Sequence, residues 1–276
     1  MGMETRRGLW WRGASDRCGR MPLIVESSYR APWWLPGGQA QTIFPALADK
    51  AAVVTGERER LELADGDFLD LDWHRTGREK LAILTHGLEG DSKAACIQSM
   101  AAALIDAGWD VLAWNHRGCS GEMNRLPRFY HSGATEDLDE VVRHAMAVHP
   151  ARRIDLVGFS LGGNLTLKYL GESAGNLPDE IHKAVVFSVP CDLADSSRAL
   201  SSPLNRAIYM RRFITSLGGK IRAKHAVFPD VIDSARLRGV ATFRDFDERF
   251  TAPLHGFLNA EDYWARSSCL PLLGRI

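Results

Sequence analysis

Gly158, Phe159, Ser160, Leu161 and Gly162 form a G-x-S-x-G pentapeptide directly after a short apolar run. The chemistry open to such a serine is acyl transfer. Its hydroxyl can attack a carbonyl carbon if a base takes the proton and donors receive the oxygen's growing charge. The pattern requires a strand before it and a helix after it, because the serine must stand on a sharp turn flanked by small residues. A glycine-rich phosphate loop is the competing reading. It lacks its lysine, since Asn164 occupies the position where one is needed.

Two donors are needed for an oxyanion. The backbone N–H of Leu161, the residue after the serine, is one. The second should come from a loop after an earlier strand. His86-Gly87-Leu88-Glu89-Gly90 meets that need, through the N–H of Leu88, with glycine letting the backbone approach a ligand. Candidate bases after the serine are His182, His225 and His255. His255 is the best placed of these, and Asp192, Asp230, Asp233, Asp245, Asp247 or Asp262 could orient it. The plainer expectation is a His255 satisfied by local hydrogen bonds. Residues 115–121, Asn-His-Arg-Gly-Cys-Ser-Gly, offer Cys119 as a thiol and His116 as a base. A rigid glycine turn with Arg117 tying loops together is preferred, because no partner activates the thiol and His116 precedes the serine.

The elements that must hold these groups follow from hydrophobic period. Residues 59–73 alternate apolar and polar about Asp65-Gly66, which predicts a β-hairpin with a tight primed turn. Residues 81–85 form a buried strand. Ile97, Met100, Ala101 and Leu104 then recur at helical spacing, with Gly108 at the C-terminal cap. A strand over 111–114 precedes a helix that Thr135 should cap, with Glu136 and Asp137 in its first turn and Leu138, Val141, Val142 and Ala145 as its stripe. Strand 154–157, helix 163–170 and strand 184–188 complete the alternation. The expected fold is α/β: a mostly parallel sheet with helices on both faces and the hairpin at one edge. Residues 190–265, with a helical stretch at 204–213, read as a lid over the carboxyl ends of the strands. A membrane-surface helix carrying Ile208, Tyr209 and Phe213 is the alternative.

Composition narrows the partners. Lys+Arg and Asp+Glu each number 34, so no global charge favours nucleic acid or an anionic membrane. No apolar run approaches the roughly 18–20 residues that span a bilayer. Residues 1–25 read as a disordered extension, with Met21 the more natural start than Met1, and 26–276 as the folded domain. The five cysteines show no zinc-ligand spacing, so a reduced cytoplasmic protein with neither structural metal nor cofactor is expected.

Seven stretches together resemble the YheT-like branch of the α/β-hydrolase fold, related to the abhydrolase-domain esterases: PWWLPGGQAQTIFPAL, LELADGDFLDLDW, HGLEG, NHRGCSGEMNR, YHSGATEDL, GFSLGGN and FDERFTAPLHGF. They run from Pro32 to Phe257. The resemblance implies a serine carboxylesterase for short- or medium-chain acyl esters, small molecules by class. It implies a Ser–Asp–His triad in that order, with Ser160 first. It also implies that the acid and the histidine follow strands expected after Ile276. A serine without its histidine loses about 10⁶ in turnover, and the oxyanion donors alone retain roughly 10³–10⁴ over water. The stated chain is therefore expected to be nearly inactive, with strand 184–188 left as an exposed sheet edge. A non-catalytic binding protein on the same fold, and acyl transfer to an acceptor other than water, are the competing functions.

Overall fold

The computed structural model describes residues 27–48 and 53–276. The expected extension, 1–25, and both candidate start residues lie outside the described residues. The chain divides into two compact units, 1–49 and 50–276. In the first, α1 (Gly37–Ala48) follows a Trp-rich segment, and the Trp34 and Phe44 rings meet edge to face at 4.9 Å.

The second unit is built on a six-stranded sheet. Its strands are β1 (Glu57–Glu62), β2 (Phe68–His74), β3 (Lys80–Thr85), β4 (Asp110–Trp114), β5 (Arg153–Phe159) and β6 (Ile181–Phe187), in spatial order β1-β2-β4-β3-β5-β6. The last four are parallel, and β2 pairs antiparallel with β4. Both the expected architecture and the hairpin at one edge are present. The hairpin turn differs from expectation. Gly66 N–H bonds to Leu63 O and Leu63 N–H to Asp67 O, and only Gly66 has a positive φ, 85°. This is a three-residue loop with glycine in the left-handed position, not a two-residue primed turn.

Alternation along the parallel strands sorts the core into two layers. Leu81, Ile83, Leu112, Trp114 and Leu156 face α3 (Thr135–Val148) and α4 (Leu161–Glu172) through Leu138, Val141, Val142, Leu165 and Tyr169. Ala82, Leu84, Val111, Ala113 and Val157 face α2 (Ala95–Asp106) through Ile97 and Ala101. α2 ends as read from sequence: Trp109 N–H reaches Leu104 O, Gly108 N–H reaches Ile105 O, and Gly108 has φ 79°. The start of α3 does not. Thr135 is its first helical residue, Ala134 holds the cap position, and the Thr135 hydroxyl instead donates to Glu172 at 2.7 Å. α4 begins at Leu161, two residues before the expected start.

Residues 193–267 are almost wholly helical: α5 (Leu193–Leu200), α6 (Arg211–Val227), α7 (Ala260–Ser267) and short turns between them. The expected helix at 204–213 is split into a turn at Pro203–Asn205, a π-helical turn at Arg206–Met210 and the first residues of α6. Leu217, Ile221, Phe246 and Phe250 of this region pack on Phe129, Tyr130 and Leu161 as a third apolar cluster.

Candidate active site

Chain order reverses direction across the sheet between β3 and β5: the path runs from β3 outward to β4, then back past β3 to β5 and on to β6. The loops leaving adjacent β3 and β5 therefore diverge, and a crevice opens at the carboxyl ends of these strands. Ser160 lies there. It follows β5, precedes α4, and has φ 53° and ψ −117°. Such a conformation costs a non-glycine residue about 1–3 kcal/mol and persists only where its surroundings enforce it. The enforcement is backbone contact. Ser160 N–H donates to Phe187 O at 2.8 Å, and Ser160 O accepts from the Gly163 and Asn164 N–H groups. A Cβ on Gly162 would lie 2.4 Å from Thr85 O, and one on Gly158 would lie 2.6 Å from Gly162 O. Both positions thus admit only glycine.

The same closeness brings in the loop after β3. A Cβ on Gly87 would stand 3.2 Å from Ser160 Cβ and 3.8 Å from its Oγ. Ser160, Leu88 and Leu161 line one cavity of about 160 Å³, with apolar walls from Phe213, Leu217, Phe243 and Phe246. Ser160 itself is exposed, at the positive end of the α4 dipole. Among the described residues, neither the Leu88 nor the Leu161 N–H donates a hydrogen bond within the protein. All three residues singled out from sequence therefore line the same cavity, and the N–H groups of two of them have no acceptor among the described residues.

The other candidates separate from this group. His116 Nε2–H donates to His86 O, and the His116 N–H donates to His86 Nε2, each at 3.1 Å. Burial holds His86 down to about 4 and His116 well below the usual range, so both are neutral struts. Gly118 and Gly121 have φ of 69° and 99°, and Arg117 binds Asp65, Asp67 and Asp137, as expected of a rigid turn tying loops together. Cys119 does have a neighbour that sequence did not reveal, Lys220 Nζ at 3.0 Å. Burial nonetheless pushes the thiol up to about 11, so it stays protonated.

His255 has its nitrogens 2.7 Å from Thr251 O and 2.8 Å from Phe129 O, and burial disfavours its charge, so the neutral ring donates to one of these two carbonyls. His182 is exposed near the amino end of β6, and His225 bonds to Ile232 O. Asp192, Asp233 and Asp245 cap turns, Asp262 accepts from Leu258 N–H, and Asp230 is exposed. No aspartate hydrogen-bonds His255 among the described residues. Asp247 is the one that reaches the cavity. It is buried against Thr251 Oγ1 at 2.7 Å and Trp264 Nε1 at 2.8 Å, and burial pushes it up to about 7.

Sequence reasoning missed His131, which also lines the cavity. Its Nδ1 accepts the Gly133 N–H at 3.1 Å, and burial keeps it neutral, so the proton sits on Nε2. Its position in the segment between β4 and α3, at the carboxyl edge of the sheet, was the available signal. Among the described residues no side chain hydrogen-bonds Ser160 Oγ, and no group of three or more His, Cys, Asp or Glu could hold a metal ion. No described helix is long and apolar enough to cross a membrane.

A profile of the α/β hydrolase fold matches residues 82–276. YheT of Escherichia coli (strain K12), named as a candidate esterase, is 34% identical over 86% of this chain and 70% of its own length. A Mus musculus phospholipase, ABHD3, is 30% identical over 93% of this chain and 63% of its own length. The chain thus spans about two thirds of these curated relatives. Among solved structures, the Pyrococcus furiosus esterase Pf2001 is 21% identical, with a TM-score of 0.44 over 66% of this chain and 69% of that one. Sheet order, glycine-bound turn, the family profile and the YheT match agree: the chain belongs to the α/β-hydrolase family, in its YheT-like branch.

Proposed function

We propose that this chain is the catalytic part of a serine carboxylesterase acting on small acyl esters. Ser160 Oγ attacks the ester carbonyl, the Leu88 and Leu161 N–H groups hold the tetrahedral oxyanion, and the alcohol departs to leave an acyl-serine that water cleaves. One observation carries the reading. An exposed serine, held at φ 53° by backbone contacts, shares a cavity with Leu88 and Leu161, whose N–H groups have no acceptor among the described residues. At about 160 Å³ the cavity is smaller than the roughly 300–1,000 Å³ typical for drug-sized ligands, which favours short acyl groups. Residues 193–267 then act as the lid, their aromatic side chains forming the acyl wall. The balanced charge fits a neutral small-molecule substrate rather than nucleic acid, and Cys119, Cys191 and Cys269, which form no disulfide among the described residues, fit a cytoplasmic setting.

A second reading, an acyl-binding protein without turnover, is favoured by one fact: no base is hydrogen-bonded to Ser160 Oγ among the described residues. A fluorophosphonate probe followed by peptide mass spectrometry separates the two. In protein extended to carry the histidine that the family resemblance implies, the esterase reading expects a covalent adduct on Ser160 that disappears in Ser160→Ala. Absence of any Ser160 adduct, with fatty-acid binding retained, overturns it in favour of the second.

A further inference from the structure

Glu89 follows Leu88 directly and has φ 55°, a left-handed conformation that is uncommon outside glycine. Four hydrogen bonds hold it. Its N–H donates to Tyr130 Oη at 2.8 Å, and Tyr130 Oη donates back to Glu89 Oε1 at 2.7 Å. Lys220 Nζ donates to Oε1 at 2.8 Å, and Ser216 Oγ donates to Oε2. Lys220 and Ser216 both belong to α6. The same helix supplies Phe213 and Leu217 to the wall of the cavity.

Burial works against both charges of the Glu89–Lys220 pair, yet Lys220 keeps Glu89 below its ordinary range, and Cys119 first and then Glu89 keep Lys220 above its own. The pair is therefore ionised, with side-chain exposures of 6% and 15%. Truncating one partner of such a pair leaves the other charged and unpaired. On the amino side of Leu88 the loop is equally fixed, because His86 is locked to His116, whose ring stacks on Tyr130 at 5.0 Å. Leu88 thus hangs between two anchored residues, and only one anchor reaches into the helical region.

We propose that Lys220 is a positioning residue: through Glu89 it sets the direction of the Leu88 N–H and couples that donor to α6. An acyl group seated against Phe213 and Leu217 then stabilises the loop geometry that receives the oxyanion. The inference rests on the oxyanion role given to Leu88 above.

Hydrogen exchange read by mass spectrometry tests the coupling without needing turnover. In Lys220→Met, exchange at the Glu89 and Gly90 amides should rise about tenfold or more, while β3 and β5 amides keep their protection. Lys220→Arg should restore most of it, and Ser216→Ala should show a smaller change in the same place. The second readout is fluorophosphonate labelling of Ser160 in that same histidine-bearing protein. The maximal rate should fall about tenfold or more in Lys220→Met, with the half-saturating probe concentration within twofold, because a misaimed donor affects charge development rather than binding. Unchanged Glu89 and Gly90 exchange in Lys220→Met overturns the proposal, as does a uniform rise across the sheet, which marks general loosening. Local exchange that rises while no variant labels at Ser160 leaves the coupling standing and overturns the oxyanion reading instead.

Discussion

The sheet with its flanking helices and the helical region at 193–267 are held by different physics. In the sheet, Leu81, Ile83, Leu84, Val111 and Leu112 are fully buried, and backbone meets backbone at Gly158 and Gly162 with no room for a methyl group. In the helical region, two turns are π-helical, at Arg206–Met210 and Asp247–Thr251. Apart from the aromatic cluster, it joins the sheet through separate polar contacts. Lys220 reaches Glu89, and buried Lys224 reaches the Leu126 carbonyl. Tyr263 Oη donates to Ser132 Oγ at 2.9 Å, and Asn164 Nδ2 reaches both Ser132 O and Ser267 O at 2.8 Å. The difference teaches where rigidity is needed. The serine is framed by main-chain atoms that mutation cannot tune, whereas the cover is attached by side chains that can be removed one at a time.

Four substitutions would break or sharpen that contrast. Gly162→Ala should have the largest effect, because its Cβ would overlap Thr85 O at 2.4 Å and His86 O at 2.5 Å. A loss of about 5 kcal/mol, or no folded protein, is expected in urea titration, well above the ordinary range for a point change. Next comes Arg117→Met. It strands Asp67 and Asp137 in the interior, at 0% and 2% exposure, and should cost about 3–5 kcal/mol by the same measurement.

Asp247→Asn probes the cover, and the expected sign follows from its raised pKa. The unfolded carboxyl ionises near 3.8 and the folded one near 7, so the folded state binds the extra proton between these values. Wild-type stability should carry no penalty below the lower value, fall as pH rises through the interval, and hold a constant cost above it. That cost is about 4 kcal/mol. Asparagine, accepting from Trp264 and donating to Thr251, should flatten the fall. Denaturation midpoints at pH 5 and pH 8 that move apart equally in both proteins would refute this. The smallest effect belongs to Thr242→Ala. It removes a reciprocal cap with Asp245 on a four-residue helix of the cover, worth about 1 kcal/mol, and should leave the sheet's exchange protection untouched.

Much of the sheet was legible because burial on two faces writes itself as alternating or continuous apolar runs. The parallel order and the hairpin's edge position followed from those runs. The turn at Asp65-Gly66 was misjudged because a dipeptide accepts two loop lengths, and only the Leu63 N–H to Asp67 O bond selects between them. Thr135 was misplaced because Glu172 competes for its hydroxyl from another helix, which local spacing cannot encode. The grouping of Ser160, Leu88 and Leu161 was legible for a related reason to the sheet: glycines at fixed offsets report close backbone approach. The rest of the cavity was not. Lys220 meets Glu89 across 131 residues, and Tyr130 meets it across 41. Such pairings depend on how the cover settles, and no periodicity announces them.

The glycine at 162 has a bearing on how this scaffold can diversify. Since carbonyl oxygens of the β3 end, and no side chains, abut that position, rewriting Phe213, Leu217 or Phe243 leaves the hydroxyl where it is. The placement of that hydroxyl is thereby independent of the cavity lining, and a lineage can alter its cover while Ser160 stays registered to the sheet.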